Sequence, residues 1–202
     1  MFCTPYAIPL VHQKVFQQEL NHLIDKKVLR RISTSEWAFQ TFFIPKKDGQ
    51  VRWISDFHRL NKLLKCPRYF LPSIPAIMQK RAGFQHITKL DISIGFYTFE
   101  LDDLAEKCCV ISTSFGLYQY LCLPIGLTNS PDVFQSLMYP LFQDIPQVEC
   151  FIDDIGIFTN SSFTQHLTIV HRVLLRLEES GFTVRPLNVH GLFKPLITKG
   201  FY

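Results

Sequence analysis

Three aspartates stand where a folded chain has no routine use for them. In Cys150-Phe151-Ile152-Asp153-Asp154-Ile155-Gly156-Ile157-Phe158, apolar residues run up to two adjacent carboxylates and away again. That is the pattern of strand, tight turn and strand with the acidic pair at the tip. Neighbouring carboxylates repel, and holding them at the end of a water-excluding hairpin costs free energy unless a cation or a hydrogen-bonding partner offsets it. A hard divalent metal does so. Aspartate is also ordinary turn chemistry, but this turn lacks the glycine of Asn-Gly and Asp-Gly hairpins, and Asp-Asp serves positive φ at both central residues poorly. The third carboxylate, Asp91, sits in Thr88-Lys89-Leu90-Asp91-Ile92, a short apolar run of the kind strands favour and aspartate does not. Two strand-borne acidic sites that converge are what a two-metal phosphoryl-transfer centre needs, with ions about 3.5–4 Å apart clamping the attacking and leaving oxygens. Since 62 residues separate Asp91 from Asp153, only the tertiary fold can unite them.

The chain that must do this has 202 residues, 47% of them hydrophobic and 19% charged, enough to bury a real core in one large domain or two small ones. No apolar run approaches a membrane span and no basic region precedes a long apolar segment at the N-terminus, so neither membrane insertion nor secretion is expected. The cysteines at 3, 66, 108, 109, 122 and 150 show no CxxC or Cys/His ligand spacing, which favours buried free thiols in a reducing compartment over a zinc site. Charge is lopsided along the sequence. Residues 1–89 hold 15 Lys and Arg against 5 Asp and Glu, and residues 90–202 hold 6 against 12. A phosphate-gripping region followed by a metal-binding one fits this, as does a solvated basic surface.

Hydrophobic spacing predicts an amphipathic helix from Val11 to Val28 carrying Phe16, Leu20, Leu23 and Ile24, ending in basic Lys26-Lys27 and Arg30-Arg31 clusters. A hairpin follows: Phe39 to Ile44, the turn Pro45-Lys46-Lys47-Asp48-Gly49, and Gln50 to Asp56. Its two tip lysines, with Arg52 on the return strand, could close over a triphosphate or simply keep a charged tip soluble. Leu71-Pro72-Ser73-Ile74 opens a short helix that stops near Gly83. Residues 110–114 and 117–123 read as a second hairpin. Ser130-Pro131-Asp132 starts a helix that turns Phe134, Leu137, Met138 and Leu141 inward. A last helix from Ser162 to Ser180 lines Phe163, Leu167, Val170, Leu174 and Leu177 on one face, with Gly181 as its stop.

In order along the chain, five motifs resemble those of reverse transcriptases from Ty3/gypsy-type LTR retrotransposons. They are Pro45-Lys46-Lys47-Asp48-Gly49 with Arg52, Ser55-Asp56-Phe57-His58-Arg59-Leu60-Asn61, Lys89-Leu90-Asp91-Ile92, Leu123-Pro124-Ile125-Gly126-Leu127-Thr128-Asn129-Ser130-Pro131 with Phe134-Gln135, and Phe151-Ile152-Asp153-Asp154-Ile155. The resemblance implies an α+β fold, a right-hand polymerase of fingers and palm, the palm a ferredoxin-like antiparallel sheet with helices on one face. It divides the chain into fingers at 1–66 and 99–129 and palm at 67–98 and 130–202, with thumb, connection and RNase H outside these residues. It implies an RNA-directed DNA polymerase in which Asp91, Asp153 and Asp154 form the catalytic triad. Those carboxylates and the Ile92 backbone carbonyl would hold two Mg²⁺ ions, with Mn²⁺ as an alternative. Lys46, Lys47, Arg52, Phe96 and Ile125 would meet the incoming deoxynucleoside triphosphate, Phe96 as the steric gate against a ribose 2′-OH. Arg59, Asn61, Lys62, Arg68 and Gln135 would contact an RNA or DNA template with its primer. The remaining partners implied are the thumb and RNase H of the same polyprotein, with no membrane, in the cytoplasm within retrotransposon particles and with access to the nucleus left open. The alternative is a catalytically inert retroelement remnant that at most binds nucleic acid or metal. An unrelated α+β domain with turn aspartates stands third.

Overall fold

A computed structural model of the chain describes residues 1–45, 51–65, 69, 71–93, 95–184 and 190–193. In chain order the helices are α1 (Leu10–Asp25), α2 (His58–Asn61), α3 (Ile74–Lys80), α4 (Asp103–Cys108), α5 (Ser130–Phe142) and α6 (Phe163–Glu179). The strands are β1 (Leu29–Ile32), β2 (Phe39–Pro45), β3 (Val51–Ser55), β4 (His86–Ser93), β5 (Val110–Thr113) and β6 (Gly116–Tyr120). They continue with β7 (Val148–Phe151), β8 (Asp154–Thr159), β9 (Thr183–Val184) and β10 (His190–Phe193). These elements form two compact units, one of Met1–Cys66 with Phe96–Ser130, the other of Pro67–Gly95 with Pro131–Tyr202.

The first unit is built on a five-stranded sheet of order β1-β6-β5-β2-β3. α1 buries Phe16, Leu20 and Leu23 in a core shared with Phe39, Trp53, Phe57 and Tyr120. It ends earlier than its apolar spacing predicts. Lys27 takes a positive φ of 57°, while the N–H of Lys27 donates to Ile24 and that of Val28 to Leu23, closing the helix and reversing the chain. Arg30 and Arg31 therefore lie on the edge strand β1, paired with Gln119 and Tyr118 of β6, and not in the tail of a helix. α4 is an element that hydrophobic spacing passes over. Its short run has no fully buried residue, and it is set by the Asp102 carboxylate, which accepts from the Ala105 N–H at 2.7 Å. Of the basic hairpin, β2 and β3 pair in register Thr41↔Ser55, while Lys46 and Lys47 at its tip lie outside the described residues, as does Arg68.

The second unit is an antiparallel sheet of order β10-β4-β8-β7, with β9 continuing along β4. Leu90, Ile155 and Ile157 on one face, with Phe134 and Met138 of α5 and Val173 and Leu177 of α6, are all fully buried or nearly so. On the other face Ile77 of α3 packs with Phe84, Ile87 and Phe158. Each long helix buries part of the face that apolar spacing selects, Phe134 and Met138 in α5 and Leu177 in α6, and leaves other members of that face exposed. In α5 Leu137 is 44% exposed whereas Gln135 is 0% exposed. In α6 Phe163 (54%), Leu167 and Leu174 are exposed and the inward stripe is His166, Val173 and Leu177. The cause is the same in each: a polar residue that a hydrophobicity pattern assigns to solvent is buried because the sheet satisfies its hydrogen bonds.

Candidate active site

The three aspartates meet at one end of the second unit's sheet. In the antiparallel register of β4 and β8, Asp91 stands directly opposite Asp154, a relation that puts Cβ atoms about 4.5–5.5 Å apart on one face. β7 and β8 close on each other at Phe151↔Asp154, so the tip of the hairpin is Ile152-Asp153 and not Asp153-Asp154. Of these two only Ile152 has positive φ, 55°, the pattern of a turn of type II′ with its strain at the first central residue. A β-branched side chain there costs on the order of 1–3 kcal/mol and persists only if its surroundings hold it.

The surroundings do. Gln135 donates its Nε2 to the Cys150 carbonyl at 3.0 Å and accepts the Ile152 N–H on Oε1 at 2.7 Å. On the other side of the turn the Ile92 N–H donates to the Asp153 carbonyl at 3.1 Å, tying β4 to the tip. Gln135, expected among the nucleic-acid contacts, is thus spent inside the protein with both ends of its amide on the hairpin backbone. Its side chain is fully buried.

Electrostatically the site brings carboxylates together. Desolvation first, then the charges of Asp154 and Asp91, push the Asp153 pKa above the ordinary carboxyl value, while its own backbone N–H and Lys89 pull it down. Lys89 supplies the nearby cation, its Nζ 3.0 Å from Asp154 Oδ1. Composition gave no reason to single it out. The period-2 rule does, since residue 89 shares a strand face with residue 91. Among the described residues no three His, Cys, Asp or Glu side chains are gathered as a ready metal cage. The donor set itself, carboxylates crowded enough to raise a pKa, fits a hard oxygen-seeking dication.

In the first unit the Leu123–Asn129 loop is pinned from three sides. Gly126 has φ 119°, and a Cβ there would lie 2.5 Å from the Ser55 carbonyl oxygen, so only glycine fits. Asn61 donates to the Gly126 carbonyl and accepts from the Thr128 N–H, both at 2.9 Å. The Ser130 hydroxyl donates to Pro124 O at 2.8 Å. Asn61, a second expected nucleic-acid contact, is accordingly a backbone clamp, and what the loop offers outward is Ile125, 43% exposed. Arg52, Arg59 and Lys62 are exposed, and Phe96 is half-buried on the 3-10 turn Gly95–Thr98. Hydrophobic patterning does not reveal the buried network at β3, in which Trp53 Nε1 donates to Tyr120 Oη at 3.1 Å and Ser55 Oγ lies 2.8 Å from the same hydroxyl. Burial pushes the Cys109 and Cys150 thiols up to about 12, which leaves them inert as expected for packing cysteines.

An antiparallel sheet with opposed aspartates on its central strands and a third at the adjoining hairpin tip suits the class of two-metal phosphoryl-transfer proteins. Within that class the chain belongs to the reverse transcriptase (RNA-dependent DNA polymerase) family, whose sequence profile matches residues 44–189. It is 27% identical over 192 residues to the retrovirus-related Pol polyprotein from transposon 297 of Drosophila melanogaster, covering 92% of this chain and 18% of that one. To the transposon Tf2-3 polyprotein of Schizosaccharomyces pombe it is 27% identical over 181 residues, covering 89% of this chain and 13% of the other. The chain therefore spans less than a fifth of the length of these relatives. Among solved structures, a foamy viral protease-reverse transcriptase in complex with RNA/DNA hybrid superposes with a TM-score of 0.86 at 22% identity, over 95% of this chain and 26% of that one. The native prototype foamy virus protease-reverse transcriptase gives 0.82 at 22% identity, over 90% and 24%. Both share the fold. Among the described residues no helix is long and apolar enough to cross a membrane.

Proposed function

We propose that this chain is the fingers-and-palm part of an RNA-directed DNA polymerase that adds deoxynucleotides to a primer 3′-OH on an RNA or DNA template, within a retrotransposon polyprotein that supplies the thumb and RNase H. The observation that supports it most is the direct pairing of Asp91 with Asp154 across two strands, in a chain of this family. Asp91, Asp153, Asp154 and the Ile92 carbonyl would hold two Mg²⁺ ions, which when bound supply the charge that acidifies the primer hydroxyl and neutralises the phosphates. The protein's own part is positional. Gln135 and the Ile92 N–H fix the turn so that Asp153 and Asp154 are presented together. Lys46, Lys47 and Arg52 would grip the triphosphate, Ile125 would line the nucleotide site, and the Phe96 ring would exclude a ribose 2′-OH. Arg59, Lys62 and Arg68 would hold the duplex through its phosphates, largely without regard to sequence.

Primer extension on oligo(dT)·poly(rA) tests this, with the chain alone and with the chain joined to a thumb from a relative. Extension by the joined protein should require Mg²⁺ and fall to background in Asp153→Asn. The chain alone should extend weakly or not at all. In the active form Phe96→Ala should admit ribonucleotides, and unchanged sugar selectivity would take Phe96 out of the gate. A joined protein that folds and binds duplex but never extends would instead favour an inert nucleic-acid- or metal-binding remnant.

A further inference from the structure

Lys89 precedes Asp91 by two residues on β4, so its side chain leaves the sheet on the face that carries Asp91 and Asp154. Directly across from it on β8 is Gly156, and a Cβ there would meet the Phe158 ring at 2.5 Å. Phe158 thus leans over the glycine, and with Ile87 and Met78 it lines the apolar slot that Lys89 also lines. An aliphatic stem suits such a slot while its ammonium reaches out to a polar edge. Here the edge is Asp154, 3.0 Å from Nζ, with both side chains about one-third exposed. The neighbouring carboxylate on this face, Glu149, is already paired with Lys80 and Arg81. The charge of Lys89 is therefore directed to the aspartate hairpin.

We infer that Lys89 is a resident counter-cation of the aspartate site: it holds Asp154 in the metal-free protein and must let go of it when a divalent ion enters, so that it sets the affinity for that ion. This rests on the metal-binding reading of the three aspartates. The exchange is one of contacts only. A carboxylate–ammonium contact is replaced by a carboxylate–metal bond, the Lys89 charge passes to solvent, and no proton or electron moves. Asp154 is kept in position in both states, which makes Lys89 a positioning residue and not a catalytic one.

Mn²⁺ titration of the full chain, read as the loss of the free-ion EPR signal, tests it without any need for polymerisation. Lys89→Gln, which keeps a polar end one atom shorter and drops the charge, should bind Mn²⁺ about three- to tenfold more tightly than wild type, the range expected for removing one partly screened unit charge beside the site. Lys89→Arg should stay within about twofold of wild type. Thermal melts give the second measure. Lys89→Gln should melt lower than wild type in EDTA and recover most of the difference in Mg²⁺, whereas a lysine that only packs would lower both melts equally. Equal or weaker Mn²⁺ binding by Lys89→Gln, with parallel melts, overturns the inference. Asp154→Asn separates the two levels: if it leaves Mn²⁺ binding unchanged, the metal reading itself falls, and if it weakens binding while Lys89→Gln has no effect, only the role of Lys89 falls.

Discussion

With one end of its amide on Cys150 and the other on Ile152, Gln135 connects α5 to a turn that would not hold its shape unaided. Gln135→Leu keeps the bulk and leaves a buried carbonyl and a partly buried N–H unpaired, each costing about 1–3 kcal/mol. The expected fall in Tm is about 4–24 °C for the two groups together, since 1 kcal/mol is worth roughly 2–4 °C in a chain of this size. Gln135→Glu should be at least as damaging at neutral pH, because it faces a carboxylate oxygen to the Cys150 carbonyl. A Tm within a degree of wild type for both variants would show that the clamp carries nothing. At Asp153 the expectation has the opposite sign. Its folded pKa lies above the ordinary value, chiefly through desolvation and then the charges of Asp154 and Asp91, so the folded state holds this proton more tightly than the unfolded chain does. Its contribution is therefore most favourable below about pH 4, the ordinary carboxyl range, and is lost as pH rises through the folded pKa. Asp153→Asn should raise the Tm of the metal-free protein at pH 7 by a few degrees and abolish the loss of stability that this group brings as pH rises through its folded pKa, while ending Mg²⁺-dependent extension. A lower Tm would mean that the ionised group is not a strain on the fold. Stability given up at a functional carboxylate is the usual direction of that trade.

At the scale of elements, α6 is fastened to the sheet by His166, whose Nε2 lies 2.8 Å from the Thr88 hydroxyl and whose Nδ1 lies 2.8 Å from that of Thr159. Burial first, and the proximity of His86 second, lower its pKa. A histidine kept neutral by the fold resists a proton that the unfolded chain accepts. Stability contributed by this group is complete above about pH 6.5, the ordinary imidazole value, and declines as pH falls from there toward the lowered folded value. Urea denaturation between pH 7.5 and 5 should show that decline, and His166→Gln should show much less of it, starting from a lower stability at pH 7.5. A pH profile identical in the two proteins would remove His166 as its source. The same residue explains what hydrophobic spacing misread. A satisfied buried histidine in α6 and a satisfied buried glutamine in α5 take inward positions while Leu137, Phe163 and Leu167 stay exposed, and only the partners Thr88, Thr159, Cys150 and Ile152, distant in sequence, reveal it. The strands that carry the aspartates were legible because alternation and an out-of-place acid are local signals. The two-residue tip and the αL turn at Lys27 were not, because no glycine marks either one.

The charge of the whole molecule also changes meaning on folding. Along the sequence the first 89 residues look strongly basic, yet the acidic stretch Glu100, Asp102, Asp103 and Glu106 folds into the same unit as that basic start. Arg30 is bound to Glu106 at 3.0 Å. Counted by unit, the first has 12 Lys and Arg against 9 Asp and Glu and the second 9 against 8, or +3 and +1. Net charge by itself thus gives neither unit a strong attraction for phosphate. Any grip on a duplex must come from exposed cations such as Arg59 and Lys62, and not from cations already paired, such as Lys80 with Glu149 at 2.7 Å. Anisotropy titrations of a short RNA/DNA hybrid over a range of KCl concentrations distinguish the two kinds. Arg59→Ala and Lys62→Ala should each flatten the slope of log K against log [salt] by about one and weaken binding to unrelated sequences equally, as loss of a phosphate contact requires. Lys80→Ala should leave the slope unchanged, because its ammonium already has a carboxylate in place of a phosphate. If all three variants shift the slope alike, binding follows total charge, and the ion pairs seen within each unit open when nucleic acid arrives.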